Sequence, residues 1–311
     1  MLTLLFPGQG SQRPGMGAPW RDHPSWQVVG TLSHAVDRDL AWLLLQADEA
    51  ELKATRNAQL AAYTLSIVAL DALCSSPQGQ HLGSELVATA GHSLGEYSAL
   101  VAAGALTPAE GARLVLARAE AMQAASDANP GTMAAVLGLS LAEVVRASCH
   151  VEGAWVANDN APGQVVIAGT LDGVQRASTA ALAKGAKRVL PLKVGGAFHT
   201  PLMKPAQAPL DTALRDATFS APTCPVVANV DAQAHLDGFG PLLSAQLCSQ
   251  VRWRESLMTL AGLGAQLFVE LGPGTELSGM VKRTVPEARR ANVARPEDLG
   301  DLDLGTLTGA P

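Results

Sequence analysis

Short apolar runs without polar alternation recur along the chain, and each leads into a glycine turn and then a helical pattern. LTLLF (2–6) runs into PGQGSQ, ELVATA (85–90) into GHSLGEYSALVAAGAL, and AQLFVEL (265–271) into GPGTELSGMV. Runs of this kind suit strands covered on both faces, so the pattern predicts an α/β protein with a mostly parallel sheet. Ligands in such folds collect beyond the carboxyl ends of the strands, where all three glycine turns fall.

The middle of the chain has a different rhythm. From Thr132 to Val194 it reads as strand TMAAVLG, helix LAEVVRASC, strands AWVAND and QVVIAG, helix LDGVQRASTAALAKG and strand AKRVLPLKV. That βαββαβ succession is the ferredoxin-like unit, punctuated at its ends by SDANPG (126–131) and Gly195-Gly196. The expected organisation is an α/β-hydrolase-like large domain from residues 1–130 and 195–285, with an inserted ferredoxin-like small subdomain at 131–194. From Pro286 to the end (286–311) apolar periodicity fades, which reads as a surface-running or partly disordered tail.

Composition narrows the function classes. The 311 residues are 48% hydrophobic and 16% charged, with a net charge of −6 and no basic run, so no nucleic-acid footprint is present. The four cysteines are far apart and lack CxxC spacing, reading as small hydrophobes of a reducing compartment. The N-terminal apolar run stops after five residues with no basic region, so neither signal peptide nor membrane span is expected, and a cytoplasmic enzyme is.

The chemistry centres on Gly91-His92-Ser93-Leu94-Gly95, a G-x-S-x-G between a predicted strand and a predicted helix, which is the context a nucleophile elbow requires. The glycines let the chain turn sharply, and the Leu94 N–H at the helix start faces any oxyanion that forms. The competing reading makes Ser93 a helix N-cap, with Glu96 three residues on completing a capping box.

A serine nucleophile needs a base. His199, in VGGAFHTPLM, lies where the chain returns from the small subdomain to the large one, a place for a cleft. His92 projects from the neighbouring elbow position and reads as a packing or hydrogen-bonding residue. His199 falls well before the C-terminus, unlike the Ser–acid–His order of α/β-hydrolases, and no acid between Ser93 and His199 stands out as a third member. A dyad is expected, with the imidazole oriented by a backbone carbonyl or an amide side chain.

In the helix PAEGARLVLARAEAMQAA (108–125), Arg118 joins an apolar stripe with Leu114 and Met122. Either its stem snorkels and its head reaches water, or the guanidinium waits for a carboxylate that it binds bidentately.

Together these segments resemble the malonyl-CoA:acyl carrier protein transacylases and the related acyltransferase domains of polyketide synthases. FPGQGSQ (6–12), GHSLGEYSALVAAGAL, NDNAPGQVVIAG (158–169), GAFHTPLM (196–203) and VELGPG (269–274) are similar to five ordered family motifs. The resemblance implies Ser93 as nucleophile and His199 as base, with Gln9 and the Leu94 N–H as oxyanion hole. It implies Arg118 as holder of the malonyl carboxylate and Gln246 as the residue orienting the histidine through its main-chain carbonyl. Gln59, Asn160 and Gln164 match further site-lining positions. In the family, A-F-H before the histidine accompanies malonyl use and S-H variants accompany methylmalonyl. Ala197-Phe198-His199 therefore implies malonyl, with Phe198 crowding an α-methyl, although Gly196 stands where polyketide domains often carry a histidine.

The implied reaction is ping-pong transfer of malonyl from malonyl-CoA, through a malonyl-serine ester, to the phosphopantetheine thiol of an acyl carrier protein, in fatty-acid or polyketide synthesis. It calls for no metal and no bound organic cofactor. The rival of similar layout is a serine hydrolase or proofreading thioesterase. A nucleotide-binding reading of PGQGSQRPGMG fails because Arg13 occupies the third glycine position of G-x-G-x-x-G.

Overall fold

The computed structural model describes residues 1–302 and 304. Ten strands fall into two sheets: β1 (Leu2–Phe6), β2 (Leu86–Gly91), β7 (Val226–Val227), β8 (Ala234–His235), β9 (Leu267–Leu271) and β10 (Arg289–Val293) in one, and β3 (Thr132–Leu137), β4 (Ala154–Ala161), β5 (Gln164–Gly169) and β6 (Arg188–Pro191) in the other. The six-stranded sheet has the order β10-β9-β1-β2-β7-β8 and is parallel except for the β7–β8 pair. Every residue of β1 and β9 is buried, which is why their sequences run apolar without alternation.

The 21-residue helix Thr55–Ser75 is long and apolar enough to cross a bilayer by length and composition. It instead lies in the core, with 83% of its most apolar window buried, packed against the helix Pro108–Ala128. Pro108 at the first turn and a capping box between Thr107 and Glu110 fix where the latter starts.

The second sheet is antiparallel, in the order β4-β5-β3-β6, and carries the helices Leu141–Ser148 and Leu171–Ala183 in the ferredoxin-like arrangement. It is stitched to the large sheet's layer along β4. The Asp159 amide donates to the Val251 carbonyl and the Val251 amide to the Ala157 carbonyl, both at 2.9 Å. The buried Asp159 carboxylate accepts from Arg254 Nε at 2.8 Å.

The stretch after Pro286 differs from its expectation as a loose tail. Residues 289–293 add β10 to the parallel edge of the large sheet, and Leu299 and Leu302 are buried beyond it. Trp20 Nε1 donates to the Ala294 carbonyl at 2.9 Å, anchoring the chain just past the strand. RRANV hid its strand because its two arginines are exposed and only Val293 is fully inside, the usual dress of a protected edge. Residues 303 and 305–311 of that segment lie outside the described residues.

Candidate active site

The serine turn is built from backbone packed on backbone. Ser93 has φ = 51°, in the left-handed region that L-residues rarely occupy, and the helix Gly95–Ala102 begins right after it. A Cβ on Gly91 would lie 1.9 Å from the Gly95 carbonyl, and one on Gly95 2.1 Å from the Phe6 carbonyl. A Cβ on Gly8 would stand 2.6 Å from the His92 carbonyl, so that glycine lets the turn after β1 close on the elbow. Gly95→Ala is therefore expected to cost about 3 kcal/mol or more, because main chain must move to admit the methyl. Urea unfolding measures it, and a loss under about 1 kcal/mol would mean the turn can relax.

The capping-box alternative does not hold. Leu94 is the helix N-cap, with no side-chain cap, and Glu96 turns inward. Its Oε2 accepts from the Asn229 amide at 3.0 Å and from Gln246 Nε2 at 2.8 Å. Ser93 Oγ points instead to His199 Nε2, 2.7 Å away.

His199 Nδ1 lies 2.9 Å from the Gln246 carbonyl. A carbonyl only accepts, so Nδ1 carries the hydrogen and Nε2 presents its lone pair to the serine hydroxyl. Among the two orienting groups open from sequence, the structure has the backbone carbonyl. Burial, and then the neighbouring Arg118 charge, push the His199 pKa from 6.5 down to about 3, so near neutral pH the imidazole is uncharged.

The Ser93 amide is already committed, donating to Asn229 Oδ1 at 2.6 Å. An oxyanion would thus turn to the next amide, Leu94, at the start of the helix. Gln9 lines the same cavity from the glycine turn after β1, and its Nε2 is buried without a hydrogen-bond partner.

Arg118 is 1% exposed, which removes the snorkelling reading. Nη1 donates to Gln59 Oε1 at 2.8 Å, and Nη2 to Ser93 Oγ and Gln246 Oε1, both at 3.0 Å. All three acceptors are neutral, and Nε is buried without a partner. A guanidinium is costly to desolvate without a counter-ion, and none of the described residues forms a direct ion pair with it. Its surroundings fit an incoming carboxylate.

Ser93, His199, Gln9, Gln59 and Arg118 line a cavity of about 520 Å³ between the two sheets' layers, whose apolar lining includes Met122, Met133, Val166 and Phe198. Asn160 is there too, its Oδ1 2.9 Å from His92 Nε2, while the His92 ring packs edge-on against Trp253. Gln164 is not among the lining residues. It opens β5 at the hairpin and its Oε1 accepts from Arg283, which turns it away from the cavity.

Asn229 went unread in the sequence. It is fully buried, bridges the elbow from the Ser93 amide to the Gly91 carbonyl (2.7 Å from its Nδ2), and follows a strand of two residues. VVANV offers no spacing that marks it, and only the proximity of β7 to β2 gives it a role. Among the described residues, no group of three or more His, Cys, Asp and Glu could hold a metal ion.

Comparison with known proteins adds family to geometry. The acyl transferase domain matches residues 3–302. The malonyl CoA-acyl carrier protein transacylase of Bacillus subtilis (strain 168) is 40% identical over 314 residues, covering 98% of this chain and 97% of its own. That of Escherichia coli (strain K12) is 43% identical over 294 residues, covering 91% and 93%. Among solved structures, the acyl-carrier-protein-S-malonyltransferase from Bartonella henselae superposes with a TM-score of 0.92 at 34% identity, over 97% of this chain and 98% of that one. A malonyl-transacylase solved in complex with its type II PKS acyl-carrier protein gives 0.90 at 36%, over 96% and 97%. An elbow serine against a carbonyl-oriented histidine, beside a buried arginine with no carboxylate of its own, thus sits in a chain that belongs to the acyl transferase domain family.

Proposed function

We propose that this protein moves a malonyl group from malonyl-CoA to the phosphopantetheine thiol of an acyl carrier protein. One observation carries the reading: Ser93 Oγ stands 2.7 Å from His199 Nε2 and 3.0 Å from Arg118 Nη2, so one bound acyl group can meet all three. The names of the relatives, and the solved complex with an acyl-carrier protein, agree with it.

His199 Nε2 takes the Ser93 proton as Oγ attacks the thioester carbonyl, and the oxyanion rests on the Leu94 amide and Gln9. The tetrahedral intermediate expels the CoA thiolate, which His199 protonates, and a malonyl-Ser93 ester remains. His199 then deprotonates the carrier's thiol, which attacks the ester, and Ser93 regains its proton as it leaves. Arg118 holds the malonyl carboxylate through both halves, with Gln59 and Gln246 fixing its plane. Phe198 narrows the space beside the α-carbon, and Asn160, held by His92, lines the same cavity. One methyl in such a pocket is worth about 1–3 kcal/mol of discrimination, so malonyl is favoured over methylmalonyl without strict exclusion. The four unpaired cysteines agree with work in the cytoplasm.

A hydrolase would use the same first half and give the ester to water. The absence of an acid on His199 Nδ1 and the presence of a waiting guanidinium favour transfer. Intact-mass analysis after exposure to malonyl-CoA is expected to show one malonyl adduct on Ser93 that carrier protein removes. Rapid hydrolysis indifferent to the carrier would end the transferase reading.

A further inference from the structure

The site's geometry converges on a carboxyl group that takes no part in the steps above. Glu96 is 3% exposed, and one oxygen, Oε2, accepts two hydrogen bonds that lead to opposite halves of the site. The first comes from the Asn229 amide, and the Asn229 side chain spans the elbow between the Ser93 amide and the Gly91 carbonyl. The second comes from Gln246 Nε2, whose other hydrogen goes to the Ser93 carbonyl at 3.0 Å. With Nε2 so held, Gln246 Oε1 faces Arg118 and its main-chain carbonyl receives His199 Nδ1.

We infer that Glu96 is a positioning residue, its Oε2 joining the Asn229 brace of the nucleophile's turn to Gln246, the residue that meets both the base and the carboxylate clamp. A Gln amide has two distinguishable ends, and reversing that of Gln246 would set an N–H against the Arg118 guanidinium. Ionised, Glu96 can only accept; with a proton on Oε1 it still accepts through Oε2, more weakly, so the direction of the Gln246 bond does not depend on its charge. That matters because burial, opposed by the Gln246 and Asn229 hydrogen bonds and by Arg118 and reinforced by Asp231, brings its pKa up to about 7. The charged groups acting on it come from two places, Arg118 on the helix Pro108–Ala128 and Asp231 after β7, while the buried Tyr97 beside it on its own helix stays neutral.

The inference rests on Ser93 being the acylated nucleophile, and loading of the unaltered protein by malonyl-CoA tests that separately. The discriminating variants are Glu96→Gln, which keeps an acceptor oxygen and removes the ionisation, and Glu96→Met, which fills the space and removes the acceptor. For Glu96→Met, malonyl loading of Ser93 is expected to fall about 100-fold in kcat, with the downfield proton resonance of the His199 Nδ1–H shifted or lost. Glu96→Gln is expected to recover loading to within about threefold of the unaltered protein, to keep that resonance, and to show the same kcat/KM profile from pH 5.5 to 8.5. A folded Glu96→Met with near-normal kcat and an unmoved resonance overturns the inference. So does a Glu96→Gln as impaired as Glu96→Met, or one whose pH profile loses an inflection near 7, since charge rather than acceptor geometry would then be at work. If Glu96→Met does not fold, the Glu96→Gln resonance and profile decide alone by the same criteria.

Discussion

Arg118→Ala is expected to lower kcat/KM for malonyl-CoA by about 10² to 10⁴ while lowering that for acetyl-CoA by less than about tenfold. The size comes from the two charge-assisted hydrogen bonds a bidentate carboxylate would lose, at roughly 1.5–3 kcal/mol each, or about 3–6 kcal/mol together. Acetyl has no carboxylate and loses only what Arg118 gives its protein partners Gln59, Ser93 and Gln246. Arg118→Lys keeps the charge but not the planar fork, and is expected to fall between the two. Quenched intact-mass kinetics with both acyl-CoAs give the ratio directly. Equal losses for the two acyl groups would show that Arg118 acts through its support of Ser93 and Gln246, and the carboxylate clamp would be withdrawn.

The elbow was readable because its constraints are local: two glycines flank one serine, and the contacts that demand them arise within a few residues and the adjoining strand. The ferredoxin-like insertion was readable for a related reason, since its elements carry their own period and its two helices their own caps, at Ser140 and Thr170. Arg118 announced itself as a charge on an apolar face, but the sequence left its head free to reach water, and only the 1% exposure decides the matter. Glu96 illustrates the opposite limit. Three residues after Ser93 it fits a capping box, and the reading fails because partners more than 130 residues away, Asn229 and Gln246, draw the carboxyl inward. β10 was missed because an edge strand needs few apolar residues, and Gln164 was misplaced because its match to a family position says nothing about Arg283 nearby.

Removing the base is expected to have the largest effect: His199→Ala should reduce kcat for malonyl loading by on the order of 10⁶, the size of loss found when the histidine of a serine–histidine site is deleted. The same residue sets the pH behaviour. In the free enzyme its pKa is depressed from 6.5 to about 3, by burial first and by Arg118 second. The unfolded chain therefore binds the proton more readily between those values, so the neutral imidazole's contribution to stability is full above pH 6.5 and drains away as pH falls toward 3. His199→Ala should flatten the pH dependence of the melting temperature across that window. For catalysis, kcat/KM reports the free enzyme, so its acid limb should lie well below 6.5. The kcat profile reports the loaded site, where the malonyl carboxylate offsets the Arg118 charge, and its acid limb should stand higher. Arg118→Ala should raise the kcat/KM limb by removing the same repulsion in the free enzyme. An acid limb at 6.5 in both profiles, unmoved by Arg118→Ala, would mean that water reaches the imidazole and that the enclosed dyad does not describe the working enzyme.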